Sequence, residues 1–450
     1  MWSYQHGILP RVLWPLMIYD CAIGTVEAME KRISKKLRKW LGVPPSFTNI
    51  GLYGKDIKLQ MPISSLTEEY KVGKVRASLT LTNSKDECVQ KAGVVSKTGR
   101  KWKTDAAIDL ATVRLRHKDL IGPVSQNRAG LGSQGSTYQR FEGSSVRQER
   151  NLIVQELRNV TEEERGARAV SMGTQGAWTK WESAVKRVVT WNDLWRMEPL
   201  RIKFMLRATY DLLPTPTNLV RWGISEEVMC PLCNHPCHLE HVLSSCKVAL
   251  TQQRYTWRHN EVLRVIAHHL DLHRKQVNKT KPVKPKGIAF VKTGESVKPV
   301  RANITSSVLS TAQDWELIVD VGKQLQIPHE IVITNMRPDI VIFSRKQKTV
   351  CILELTVPWE TRIDEAHERK RLKYVDLQTQ CIENGWKTIC FPIEVGCRGF
   401  VATSLVTAFG KLGVRGKNRK IVIRKVGEAA ERASNWLWIK RQEPAWEHQG

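Results

Sequence analysis

The chain is short of acid. Its 450 residues carry 44 Asp and Glu against 71 Lys and Arg, a formal net charge of +27. A polyanion is the simplest partner for that excess, with nucleic acid the default; a ribosome-like or membrane-surface binder would show the same imbalance. Long apolar runs are missing too. The most apolar opening stretch, 8–18, is interrupted by Pro10, Arg11 and Pro15. It is too short and too broken for a signal peptide or a membrane span. A disulfide framework is also absent: of ten cysteines, four fall between 230 and 246 and six are scattered. That distribution fits a metal site plus buried thiols in a reducing compartment. No Asp-Asp pair occurs anywhere. The Tyr/Phe-x-Asp-Asp motif of a polymerase palm is therefore missing, and polymerisation by this chain alone is not expected.

What is present is, first, a pair of short apolar runs. Residues 336–343, Met-Arg-Pro-Asp-Ile-Val-Ile-Phe, and 350–356, Val-Cys-Ile-Leu-Glu-Leu-Thr, flank the polar turn 344–348. The pattern predicts a β-hairpin. Asp339 stands at the mouth of the first strand and Glu354 inside the second. A carboxylate in an apolar strand costs several kcal/mol unless it is paired or holds a cation. Two on adjacent strands can share one divalent ion through oxygen ligands, which suits Mg²⁺. A helix predicted over 363–384 follows. Its inward stripe is Ile363, Ala366, Lys370, Lys373 or Tyr374, Leu377 and Cys381, so lysines fall on an otherwise apolar face. Carboxylates for the cation and an ammonium for the attacking water or the phosphate are what a metal nuclease needs. An ion-paired, inactive version of the same arrangement would use the same residues, or the lysines would reach out to solvent.

The second feature is Cys230-x2-Cys233-x7-His241-x4-Cys246. Two thiolates from a tight turn, with His and Cys from a following helix, suit tetrahedral Zn²⁺ in a closed structural site. Cys237, His235 and His238 lie in the intervening loop and are read as bystanders, each able to replace a primary ligand. A helix over 254–270 follows and carries Arg258-His259-Asn260. A lone histidine there is more often packed or exposed than catalytic.

Taken in order, the chain divides into a helical segment (1–76), a basic linker region (77–165) and a Trp-rich helical part (166–222). The cysteine cluster with its helix (223–270), a Lys/Pro-rich linker (271–302), an α/β domain (303–412) and a basic tail (413–450) follow. In the first segment a helix is expected over 26–41, with Thr25 as N-cap, Gly42 as stop and an apolar stripe of Val26, Met29, Ile33, Leu37 and Trp40. Lys35, Lys36, Arg38 and Lys39 lie off that stripe, on a solvated face or against a phosphate backbone. With Arg258 and Arg337 they are the candidate nucleic-acid contacts. A second helix is expected over 105–117, a flexible Gly/Ser-rich loop over 128–136 and a small tryptophan core around Trp178, Trp181, Trp191 and Trp195. The α/β domain should hold a helix over 314–325, the hairpin, the helix 363–384 and a strand over 388–395.

Arg337-Pro338-Asp339, fourteen residues, then Glu354 resembles the PD-(D/E)xK nuclease signature. With the cysteine cluster before it, the arrangement looks like the restriction-enzyme-like endonuclease at the C-terminus of site-specific non-LTR retrotransposon polyproteins. The general signature puts lysine where this chain has Thr356. The retrotransposon version is similar in moving it to the next helix, here Lys370-Arg371-Leu372-Lys373-Tyr374. Residues 7–11 through 40–42 resemble the thumb of those reverse transcriptases; 176–181 and 258–260 look like the segments flanking their zinc knuckle.

The resemblance implies a multidomain α plus α/β protein. It would join a thumb-like helical region, a small CCHC zinc knuckle and a C-terminal PD-(D/E)xK-like nuclease, being the C-terminal part of a polyprotein without palm or fingers. It implies a nuclear Mg²⁺-dependent endonuclease that nicks double-stranded target DNA, so that the 3′ end primes reverse transcription of element RNA. Asp339 and Glu354 would hold Mg²⁺, Lys370 or Lys373 would assist the water or the phosphate, and Tyr374 would position the lysine or the backbone. Knuckle, thumb-like helix and linker would hold DNA or RNA. The alternative is a retrotransposon-derived nucleic-acid-binding protein without activity. Oligomeric state and target sequence stay open.

Overall fold

A computed structural model describes residues 1–92, 96–128, 140–280 and 307–446. The Gly/Ser-rich loop beyond Arg128 and the Lys/Pro-rich stretch from 281 to 306 lie outside the described residues. The chain forms two compact units, 1–179 with 188–206 and 180–187 with 207–450. The Trp-rich part is thus divided between them. Trp178 and Trp181 are buried, Trp191 is half-buried and Trp195 is exposed, so no single tryptophan core forms.

The first unit is helical. α1 (Leu9–Ile18) leads to α2 (Ile23–Leu41), which begins three residues before the expected start and is preceded by Ala22, not Thr25, at its N-cap. Gly42 ends it at φ +66°, a left-handed turn that glycine adopts at no steric cost. The buried face is Ile23, Val26, Ser34, Leu37 and Leu41, while Met29 and Trp40 are exposed. At about 100° per residue that face is turned by roughly 60° from the apolar stripe. The cause is Ser34, which enters the core because Tyr53 Oη meets its hydroxyl at 2.9 Å.

α3 (Leu66–Thr82), α4 (Thr104–Arg128) and α5 (Val146–Ser171) follow. The region expected as a basic linker is therefore largely folded. Val72, Val75, Ala111, Leu115, Phe141, Ile153 and Val154 form its core. Its charges are paired within it: Arg114 and Lys118 both meet the buried Glu156, at 2.8 and 2.5 Å.

The second unit is built on a four-stranded sheet: β1 (Glu316–Val319), β2 (Ile340–Ser344), β3 (Thr349–Thr356) and β4 (Lys387–Glu394), in that spatial order. β1–β2 and β2–β3 are antiparallel and β3–β4 is parallel. β2 and β3 are the expected hairpin. The helix expected over 314–325 is instead edge strand β1, with Leu317 opposite Ile342 and Val319 opposite Ile340. A short apolar run satisfies either period. Here Asp314 holds the strand start, accepting hydrogen bonds from the Ser344 hydroxyl and the Lys346 amide at 2.7 and 2.9 Å.

Side chains alternate across the sheet. Ile340, Ile342, Cys351, Leu353, Leu355 and Ile393 pack on one face against α6 (Arg254–Asn278), α9 (Thr403–Leu412) and α10 (Gly416–Ile439). Val341, Phe343, Val350 and Ile352 pack on the other with Tyr374, Leu377 and Cys381, from α7 (Ile363–Lys373), α8 (Val375–Glu383) and the residue between them.

Three expectations are corrected here. α6 runs on to Asn278, where a linker was expected from 271, and Lys275 pairs with Asp271 one turn back. The stretch 413–450 is no tail: α10 puts Val422, Val426 and Ala430 into the main core. The long helix over 363–384 is broken at Tyr374, whose backbone leaves helical geometry at φ −102°, ψ 8°.

Candidate functional site

The cysteine cluster is assembled by its turn. Cys230 N–H donates to His235 O at 2.8 Å, and Asn234 adopts φ +53° to let the loop close. The ligand atoms of Cys230, Cys233, His241 and Cys246 all lie within 4.8 Å of one another. Cys233 Sγ is 3.6 Å from Cys246 Sγ and 3.2 Å from His241 Nε2. A zinc tetrahedron with bonds of 2.0–2.3 Å has edges of roughly 3.5–3.8 Å. The four residues can hold a metal ion such as zinc.

Burial pushes the Cys230 thiol up, but backbone amides of Leu232 and Cys233 outweigh it and hold the thiol below its ordinary range. Cys237 is buried, outside the group of four, and pushed up to about 12 by burial and by Cys230. It is a neutral neighbour of the cluster. His235 and His238 turn their rings to the carbonyls of Cys233 and Pro236.

Helix α6 ties this cluster to the sheet. Tyr255 Oη accepts from Cys246 N–H at 3.1 Å and faces the carbonyls of His241 and Val242. Arg258 donates to Leu243 O at 2.7 Å, to Ser434 Oγ at 3.2 Å and to Val357 O, just past β3, at 3.1 Å. Only 2% of Arg258 is exposed. It is therefore a structural brace and not a nucleic-acid contact, which corrects the sequence expectation. Arg38 is likewise engaged, by Phe47 O at 2.7 Å and Asn49 Oδ1 at 2.5 Å. Lys35, Lys36 and Lys39 are exposed on α2. Arg337 is exposed beside the hairpin, its guanidinium against the Gln324 side chain.

At the hairpin, Asp339 precedes β2 and Glu354 lies near the end of β3, its side chain almost wholly buried. The two are linked: Asp339 N–H donates to Glu354 Oε2 at 3.2 Å, and Leu355 N–H donates to Asp339 Oδ2 at 2.6 Å. Lys370 Nζ is 2.5 Å from Glu354 Oε1 and Lys373 Nζ is 3.4 Å from it. Tyr374 Oη donates to Glu354 Oε2 at 2.7 Å. Burial, then the Glu354 charge, pushes the Tyr374 phenol far above its ordinary range, so it remains a donor. Asp339, Glu354, Lys370, Lys373 and Tyr374, which the sequence singled out, are all brought to one place.

Thr356 leaves its buried hydroxyl without a hydrogen-bond partner. The strand thus offers no ammonium where the general signature has one, and the helix supplies it. Two residues join that the sequence did not assign. His259 Nε2 is 3.3 Å from Asp339 Oδ2 and 3.2 Å from Leu355 O, and its Nδ1 is 3.2 Å from Asn260 Oδ1. Burial pulls His259 down, but the Asp339 carboxylate outweighs it and holds the ring above its ordinary value. Only spatial proximity reveals this residue, since α6 lies eighty positions upstream of Asp339. Among the described residues, the Cys3His set is the group of three or more His, Cys, Asp or Glu donors that closes to within 4.8 Å.

No protein-family model matches the chain, and comparison with curated proteins finds no match. The resemblance to retrotransposon endonucleases therefore rests on the residues themselves. No described helix is long and apolar enough to cross a membrane.

Proposed function

We propose that the second unit is a metal-dependent endonuclease that nicks double-stranded DNA, carried with a nucleic-acid-binding zinc knuckle on a fragment of non-LTR retrotransposon type. The observation that carries this reading is the 2.5 Å contact of Lys370 with Glu354, one strand from Asp339. It supplies from a helix the ammonium that Thr356 cannot supply from the strand. Carboxylate oxygens at the hairpin mouth are hard donors, so the set fits Mg²⁺. Asp339 and Glu354 would hold it, and when bound it supplies a Lewis acid for the phosphate and lowers the pKa of a water. Lys370 orients the attacking water or neutralises charge on the phosphate, with Lys373 beside it. Tyr374 fixes the Glu354 carboxylate through Oη. The nicked 3′ end would prime copying of element RNA in the nucleus by a reverse transcriptase.

The test is conversion of supercoiled plasmid to open circle in Mg²⁺ by the full chain. Asp339→Ala and Glu354→Ala should abolish nicking and leave DNA binding intact. Equal nicking by wild type and variants, or none by any, removes the enzyme reading. One observation favours the inactive, DNA-binding alternative: both Glu354 oxygens are already engaged by Lys370, Lys373, Tyr374 and the Asp339 amide. Under that reading plasmid retention persists in every variant while no open circle appears.

A further inference from the structure

His259 on α6 is the group at the hairpin that the nuclease reading does not use. Its Nε2 faces two oxygens at once, Asp339 Oδ2 at 3.3 Å and Leu355 O at 3.2 Å. Both contacts are longer than the 2.7–2.9 Å usual for a charge-assisted N–H···O bond. Ligands at right angles around a cation at about 2.1–2.2 Å stand roughly 3.0 Å apart, so an ion seated between them would draw both contacts in by about 0.2–0.3 Å. The other ring nitrogen is turned to Asn260 Oδ1, the kind of outer partner that fixes which nitrogen a ligating histidine presents. The ring is further held because its neighbour Arg258 is locked to three acceptors on separate segments.

We propose that His259 Nε2 is a direct ligand of the hairpin cation, completing with Asp339 Oδ2 and the Leu355 carbonyl a mixed nitrogen–oxygen face. The inference deepens the nuclease reading and rests on it only for its catalytic consequence. Imidazole is a poor ligand for Mg²⁺ and a good one for later divalent ions, so the site prefers Mn²⁺ to Mg²⁺ and discriminates against Ca²⁺. The same helix then carries a ligand for the catalytic ion and the tyrosine that braces the zinc knuckle.

The probe is Mn²⁺ added to the zinc-loaded full chain. Uptake is followed by loss of the free hexaaqua signal in electron paramagnetic resonance, and the bound ion is examined by pulsed measurement of nitrogen modulation. Wild type should bind Mn²⁺ with ¹⁴N modulation that changes frequency on ¹⁵N-histidine labelling. His259→Gln should lose the modulation and bind Mn²⁺ at least tenfold more weakly, with the Mn²⁺-over-Mg²⁺ preference reduced by a similar factor. Asp339→Asn should also weaken uptake.

No uptake by wild type, uptake without histidine modulation, or unchanged modulation and affinity in His259→Gln each overturns the proposal. The wild-type labelling result decides even if the variant does not fold. Plasmid nicking measured on the same samples separates the two readings. Nicking without nitrogen modulation retains the nuclease and removes the ligand; modulation without nicking retains the ligand and removes the nuclease.

Discussion

Lys370 and Lys373 reach the same Glu354 oxygen, but not equally. Lys370 is at 2.5 Å with 21% of its side chain exposed; Lys373 is at 3.4 Å with 45% exposed. A better desolvated ammonium at shorter range is the stronger electrostatic partner. Lys370→Ala should cut the nicking rate about 10²–10⁴-fold, the range of a lost general acid–base or charge-stabilising group. Lys373→Ala should cost far less, and the ratio of the two single-turnover rates measures it. Tyr374→Phe removes a buried donor from Glu354 and should destabilise the unit by about 1–2 kcal/mol, read from urea midpoints. A different carboxylate shows pH dependence. Burial raises Glu394 above the ordinary carboxyl range, partly offset by Ser404 and His367. Such a group binds its proton more tightly when folded, so its stabilising contribution is present at low pH and is lost as pH rises through the folded value. Glu394→Gln should therefore melt higher than wild type at pH 8, the gap closing toward the ordinary value of about 4.3.

At the scale of elements, what the sequence made legible was what local pattern carries. The hairpin announced itself by two apolar runs and a polar turn, and the ligand cluster by cysteine spacing. The lysines on α7 stood out because they broke an apolar stripe. What was hidden needed partners distant in the chain. β1 looked like a helix because a run as short as 315–319 has no period of its own until Ile340 and Ile342 pair with it. The buried face of α2 departs from its apolar stripe because the hydroxyl that takes Ser34 inside belongs to Tyr53. Arg258 looked like a phosphate contact, since nothing local says that three carbonyl and hydroxyl acceptors await it. Because Arg258 satisfies those acceptors where water is excluded, Arg258→Met should destabilise the second unit by about 2–4 kcal/mol, measured by denaturant titration. The same change should lower nicking more than a surface arginine change does, through displacement of His259 rather than loss of a phosphate contact.

At the scale of the whole molecule, net charge and the Cys3His cluster are the features to test. With a net charge of +27, DNA affinity should fall steeply between about 50 and 200 mM salt, with a log–log slope that counts the phosphates met. Lys35→Ala, Lys36→Ala and Lys39→Ala should reduce that slope by up to one unit each, whereas Arg258→Met should leave it unchanged. Stripping zinc with a chelator should lower the melting temperature of the full chain and stop nicking even in excess Mg²⁺, because folding of a structural zinc site is tied to its ion. Readdition of Zn²⁺ should restore both. The brace on α6 also has a consequence for length. Between Cys246, held at the cluster, and His259, held at Asp339, the chain acts as a ruler. One added residue inside α6 ahead of His259 would swing that ring by about 100° and shift it about 1.5 Å along the axis. An insertion or deletion ahead of His259 should therefore break one of the two attachments, where a single substitution leaves the spacing intact.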